Sequence, residues 1–292
     1  MRLIHLTDPH LTSLDACRPG FGAVKRWLSW LSWHARRRQR HRHHRLAALT
    51  RGLKAVGPDA WAITGDLCQI GLEREAREAA RWLAELAPSD RTLVVPGNHD
   101  IFAPDSHSAI SRHWSDYLHL EEQAPAWPAV RYFGDVALIG VNSAVVTPMF
   151  KASGRLGHGM RDRLGKTLAA HREFCRIVLI HHPPLPGVCK RRKALADDQE
   201  LGELLAEHGA AMVLHGHLHR NREYEIEAGT GAPVPVFCTG SASAAGKQGA
   251  ASARVFDIES MSGGYRIRMR LGLLDASDKP HTVETRQWDS AG

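Results

Sequence analysis

Long apolar runs are missing from this sequence. No stretch reaches the ~18 residues of a membrane-spanning helix, so none is expected. Cysteine is scarce and scattered: its five positions, 17, 68, 175, 189 and 238, include no Cys-x-x-Cys pair. That excludes a disulfide framework and a thiolate zinc site, and it suits a reducing compartment. The opening MRLIHLTDPH puts an Asp and two His where a secretory signal needs apolar residues. A cytoplasmic location is therefore expected rather than export by that route. Two signatures of other chemistries are absent as well, Gly-x-Ser-x-Gly for a serine nucleophile and Gly-x4-Gly-Lys-Ser/Thr for a phosphate-binding loop. No internal repeat and no long Ser/Gly linker divides the 292 residues. One domain over residues 1–274 is expected, with a tail at 275–292 poorly ordered except at Trp288.

Acidic residues are missing from one long segment. Residues 16–58 hold eleven Lys or Arg and no Asp or Glu. Outside it, 27 basic side chains face 31 acidic ones. The overall charge of +7 thus reports one segment rather than a generally basic protein. The remaining composition, 43% hydrophobic and 24% charged, is that of a globular chain.

Short β-branched runs alternate with helical patterns. Leu3–Leu6, Ala60–Thr64, Thr92–Val95, Ala137–Val141, Ile177–Ile180 and Met212–Leu214 read as strands. Glu73–Leu86 reads as a helix, with Ala76, Ala79, Ala80, Leu83 and Leu86 at helical spacing, and Asp197–His208 as another. Val234–Thr239, Arg254–Ile258 and Tyr265–Leu271 read as a β meander. Alternating βα units predict an α/β fold with helices on a sheet, and the strand-rich end predicts a second sheet.

Nineteen His are unusual, and their placement is informative. Asp8 and His10, Asp66, Asn98 with His99 and Asp100, His181 and His182, and His215, His217 and His219 all fall at predicted strand ends, where α/β sheets bind ligands. Carboxylate oxygens mixed with imidazole nitrogens suit Mn, Fe, Zn, Co or Ni better than Ca or Mg. In Asp8-x-His10 and His217-x-His219, strand alternation would point both side chains to one side. Seven such ligands exceed one tetrahedral ion and suit two ions sharing a carboxylate. His215 reads as a supporting or structural histidine, and Asn142, after an apolar strand, as a residue of the site rim. His5 faces away and reads as a satisfied core histidine.

Asp8-Pro9-His10, Gly65-Asp66, Gly97-Asn98-His99-Asp100, His181 after an apolar strand, and Gly216-His217-Leu218-His219 resemble, in order, the five motifs of the calcineurin-like metallophosphoesterases. HLTDPHL, VPGNHD and HHPPLP most resemble the class III cyclic-nucleotide phosphodiesterases and glycerophosphodiesterases. The Ser/Thr protein phosphatases instead carry GDxVDRG and GNHE. The resemblance implies a four-layer αββα sandwich of two mixed sheets. It implies one metal on Asp8, His10, Asp66 and His219, and a second on Asp66, Asn98, His181 and His217, with Asp66 bridging. His181 is preferred over His182 because it is the first residue beyond the strand. The resemblance also makes His99 the catalytic histidine and Asp100 the group that orients it. Asn142, His182 and His215 are expected on the substrate side. The implied activity is a dinuclear metal-dependent phosphodiesterase.

The basic insertion, FGAVKRWLSWLSWHARRRQRHRHHR at 21–45 within about 17–45, departs from the compact cyclic-nucleotide branch. Phe21, Val24, Trp27, Leu28, Leu31 and Ala35 form a helical apolar stripe, with Trp30 flanking it and Trp33 opposite. Trp beside Arg suits a peripheral contact at the inner membrane face, a lid over the metal site, or a helix packed on the domain. Two alternative activities follow. One is hydrolysis of a lipid-linked phosphoester or pyrophosphate such as UDP-2,3-diacylglucosamine. The other is a nuclease, disfavoured because the arm's aromatics lie largely on the apolar stripe, so nucleic acid is not an expected partner.

Overall fold

The computed structural model describes residues 1–20, 23–119, 127–229, 232–246 and 249–291. Two mixed six-stranded sheets stack face to face, with helices on both outer faces. The first sheet starts with parallel β1 (Arg2–Leu6), β2 (Ala60–Ile63) and β3 (Thr92–Val94). The second holds β4 (Ala129–Phe133), β5 (Val136–Gly140), β6 (Cys175–Leu179), β7 (Met212–His215), β8 (Arg222–Ile226) and β9 (Val234–Cys238), in the order β4-β5-β6-β7-β9-β8. The chain then returns to the first sheet with antiparallel β10 (Ser252–Met261), β11 (Gly264–Leu274) and β12 (Pro280–Ala291). The strand-rich end is therefore no sheet of its own. Its strands extend both sheets.

Side-chain alternation along each strand sets the layers. On β1, Leu3 faces the core between the sheets, with Leu93, Leu179 and Leu214. Ile4 and Leu6 face outward onto α2 (His43–Ala55), α3 (Glu73–Leu86) and α4 (Ser106–Leu118). On the far side, α5 (His158–Ala170) and α6 (Asp198–His208) cover the second sheet through Leu164, Leu168, Leu201 and Leu205. The helix α3 spans the predicted residues and buries Ala76, Ala79, Leu83 and Leu86. Its N-terminus is tied by Glu75, whose carboxylate accepts from the amides of Gln69, Ile70 and Leu72 at 2.6, 3.1 and 2.9 Å.

The tail differs from expectation. Residues 280–291 form β12, paired along β11, and Trp288 packs on Phe237 at 5.4 Å between ring centroids. Alternating polar residues there read as disordered, yet an edge strand needs only one anchored face.

The basic insertion is helical, as its apolar stripe implies. Its helix α1 (Val24–Ser32) runs into a π-helical turn at Trp33–Arg37. The predicted apolar stripe faces solvent: Val24, Leu28 and Leu31 are 59%, 43% and 54% exposed. Phe21 lies outside the described residues. The face packed on the domain carries Arg26, Trp30 and Trp33 instead. Trp33 joins a small core with Leu14, Cys17, Ile70 and Phe102. The buried Arg26 guanidinium donates to the carbonyls of Ile70 and Gly71 at 3.0 and 2.7 Å and pairs with Asp105 at 2.8 Å. These carbonyls need donors, and a long cation supplies them where an apolar side chain would not.

Candidate metal centre

The loops after β1, β2, β3, β6 and β7 meet at one edge of the two sheets. Backbone conformation there is unusual. Asp8, His10, Asp66, His217 and His219 all have left-handed φ values, between 44° and 68°. Strand alternation is thus not what aims Asp8 with His10, since β1 stops at Leu6. Tight turns aim them, held by Asp8 N donating to Gly65 O at 2.9 Å and His10 N to Asp66 O at 3.0 Å. Each such residue costs about 1–3 kcal/mol and persists only where its surroundings fix it, as at functional sites.

Two clusters result. In the first, one ligating atom each from Asp8, His10, Asp66 and His219 lies within 4.8 Å of all the others. His219 Nε2 is 3.1 Å from Asp8 Oδ1. In the second, His181, His182 and His217 meet the same limit. Between the clusters stands Asp66, whose Oδ2 is 4.0 Å from His10 Nε2 and 3.4 Å from His181 Nε2. His181 Nε2 also lies 3.3 Å from Asn98 Oδ1. His182 turns its Nδ1 to Ser143 Oγ at 2.8 Å. His181 is thus the member of the doublet that reaches Asp66 and Asn98.

Charge and burial oppose each other across the centre. Burial alone would raise the Asp66 carboxyl, but His181, His99 and His10 hold it well below the usual range. Burial opposes a charge on His181, yet Asp66 beside it raises that group to about 9. Burial depresses His10 to about 3 and His217 well below its ordinary value, which keeps both neutral, the form that ligates metal. Both ring nitrogens of His217 are buried without a hydrogen-bond partner among the described residues. Stranding such atoms is costly unless a cation takes them. The donor set therefore fits a dinuclear divalent site, with Asp66 standing between the two clusters. Two glycines make room for it. A Cβ on Gly97 would strike Asp66 Oδ1 and come within 2.8 Å of His181 Cε1, and one on Gly216 would strike Thr7 and Asp8.

A cleft of about 440 Å³ opens over this centre. His99 stands at its rim, 5.1 Å from His10 between ring centroids. Its Nδ1 lies in hydrogen-bond contact with the Gln69 carbonyl. Asp100 does not orient it. The Asp100 carboxylate instead accepts from the amides of Asp66, Cys68 and Gly97, each at 2.8 Å. It braces the two ligand loops from beneath.

The expected substrate-side residues are not in the cleft. Asn142 turns its Oδ1 back to Ala144 N at 2.9 Å, which makes it a strand-end turn. His182 and His215 are fully buried, and His215 Nδ1 contacts Gly216 O at 3.1 Å. His5 is satisfied by Thr64 and Thr239 hydroxyls, both at 2.8 Å. Residues that sequence reasoning passed over line the cleft: Arg40, His41, Gln69, Lys193 and Arg220. Arg40 and His41 sit in a run of Arg and His where no spacing marks either one.

Two stacked mixed sheets that bring carboxylates and imidazoles to one edge define a metal-dependent phosphoesterase class, and the chain belongs to the calcineurin-like phosphoesterase family, whose profile matches residues 1–221. None of the curated proteins is significantly similar to it in sequence. Among solved structures it resembles the purple acid phosphatase PPD1 of yellow lupin (Lupinus luteus), with a TM-score of 0.62 and 11% identity over 98% of this chain and 53% of that one. It also resembles the sulfate thiohydrolase SoxB of Thermus thermophilus, with a TM-score of 0.53 and 16% identity over 99% of this chain and 56% of that one. The chain spans about half the length of each, and the likeness is one of fold.

Proposed function

We propose that this chain is a dinuclear metal-dependent phosphodiesterase, closest in its motifs to the class III cyclic-nucleotide and glycerophosphodiester enzymes. The observation that carries the reading is Asp66, standing between two imidazole clusters at the floor of a cleft. Asp8, His10, Asp66 and His219 would hold one divalent ion, and Asp66, Asn98, His181 and His217 the other. Bound there, the pair supplies Lewis acidity toward the phosphoryl group and a water acidified toward neutrality. Around it, Arg40, Lys193 and Arg220 present cations to an anionic ester. The Gln69 carbonyl accepts the His99 Nδ1 proton and so fixes the ring at the cleft, where a protonated His99 would give a proton to the departing oxygen.

A second reading is favoured by the outward apolar stripe. A neighbouring cleft of about 440 Å³ shares Arg40, Asn98, His99 and Lys193 with the first and continues past Leu28, Phe102, Met149 and Phe150. A lipid-linked phosphoester or pyrophosphate would lay its chain there. Mn-loaded protein assayed on 3′,5′-cyclic AMP, on 5′-AMP and on detergent-dispersed UDP-2,3-diacylglucosamine separates the cases by kcat/KM. A preference of about tenfold or more for the cyclic diester supports the first reading. The same preference for the lipid substrate transfers support to the second, and preference for the monoester sinks both.

A further inference from the structure

The insertion does more than overhang the cleft. It delivers one imidazole to the first metal position. The His41 ring lies 4.3 Å from that of His10 and 5.4 Å from that of His219, centroid to centroid. One ligating nitrogen from each of His10, His41 and His219 lies within 4.8 Å of the other two. Nitrogens about 2.1 Å from a common ion can be at most about 4.2 Å apart, so only a small contraction brings the three onto one cation.

The seat of His41 is built. Residue 41 forms an antiparallel bridge to Ala244. Arg42 N donates to Ser243 O at 2.9 Å, and Ala245 N donates to Arg40 O at 2.9 Å. Ser243 Oγ lies 2.8 Å from His41 Nδ1, and Ser241 Oγ lies 3.4 Å from it. The Ser241 hydroxyl donates to the Asp8 carbonyl at 2.6 Å. The hydroxyls that position His41 are therefore anchored on the ligand loop of Asp8 itself. A hydrogen bond on one ring nitrogen is how ligating histidines are oriented through the other.

We propose that His41 is a further ligand of the first metal position, beside Asp8, His10, Asp66 and His219, and that the ion clamps the insertion over the site. This rests on the dinuclear reading above. None of the five motif segments contains residue 41, so the ligand comes from the inserted arm. Metal loading and arm closure then become one equilibrium. An ion favours the closed arm by as much as the closed arm tightens the ion.

Co(II) titration of the metal-free chain tests this, read by the d–d absorption of the bound ion and by calorimetry. Wild type is expected to take two ions. His41→Ala and His41→Gln should each bind one of the two at least about tenfold more weakly, with an altered absorption band. Arg40→Ala/Arg42→Ala should keep both ions, because charge on the arm is not the cause. Hydrogen exchange of residues 38–45 should slow on Co(II) addition in wild type and not in His41→Ala. Equal melting temperatures of the metal-free forms show that folding is intact, and if His41→Ala fails this check the Gln variant carries the comparison. Two ions bound with wild-type affinity and spectrum in both His41 variants overturn the proposal. A wild-type chain that takes up no Co(II) overturns the dinuclear reading, and this inference with it.

Discussion

Asp66 touches both clusters, so it is the residue whose loss the centre tolerates least. Asp66→Ala should bind neither ion tightly and fall to near-background turnover, measured by metal analysis after gel filtration. His99→Ala should keep both ions and lose about 10²–10⁴-fold in kcat, most for poor leaving groups. An emptied metal position in that variant would refute the role given to His99. Asp100 behaves differently from either. Replacing it by Ala strands three backbone amides, at about 1–3 kcal/mol each. A large drop in the urea midpoint is expected, with metal affinity falling because the Asp66 and Gly97 loops loosen. Most ligands were readable because metal chemistry restricts residue type and strands end at turn signals. The work of Asp100 was not, because it depends on amides at 66, 68 and 97 that only the folded loops bring together. Nor does sequence reveal that five of the proposed ligands are left-handed, since none of them is glycine.

At the scale of elements, α3 and α1 teach opposite lessons. In α3 the periodic small apolar residues face the core, as their spacing predicts. In α1 the spacing groups the apolar residues on one face but leaves open whether that face is buried, and here it is turned outward. Periodicity says which residues share a face, while the partner surface decides which face is buried. Here the partner surface offers the carbonyls of Ile70 and Gly71, and Arg26 answers them. The entry to α3 yields a pH prediction. Burial raises the Glu75 carboxyl above its ordinary 4.5. Between that value and the raised one, the folded state holds a proton that the unfolded state has lost, so stability falls as pH rises through the window. Urea midpoints from pH 4 to 7 should therefore decline more steeply in wild type than in Glu75→Gln. Parallel curves would show that Glu75 does not titrate in this way.

For the molecule as a whole, the proposed ions would act as ligands of the native state. At a hundred times its Kd, each should add about 2.7 kcal/mol of stability. EDTA should lower the melting temperature of wild type and leave that of Asp66→Ala unchanged. The apolar face of α1 makes a separate statement about surroundings. Val24, Leu28 and Leu31 form one stripe, and Met149 and Phe150, 45% and 80% exposed, lie on the cleft that Leu28 also lines. Such a face, with basic groups beside it, is expected to hold the chain to anionic vesicles. Leu28→Asp/Leu31→Asp should abolish co-sedimentation with them and leave hydrolysis of a soluble diester within about twofold. Retained sedimentation would assign the binding to another surface.

The pairing of β1 with β10 carries a consequence in time. The amino group of Met1 donates to Ile258 O, 257 positions along the chain, and β1 meets β10 residue for residue. Asp8 and His10 hang directly from the end of β1, and Ser241, bonded to the Asp8 carbonyl, lies just before β10. A nascent chain arrested near residue 230 would already contain every proposed ligand, yet one flank of the strand that presents the first two would be bare. Pairing across so long a loop is slow to form. On the dinuclear reading, the centre is therefore expected to be completed late in synthesis, after its last proposed ligand has been made, with metal capture near the end of folding rather than at its beginning.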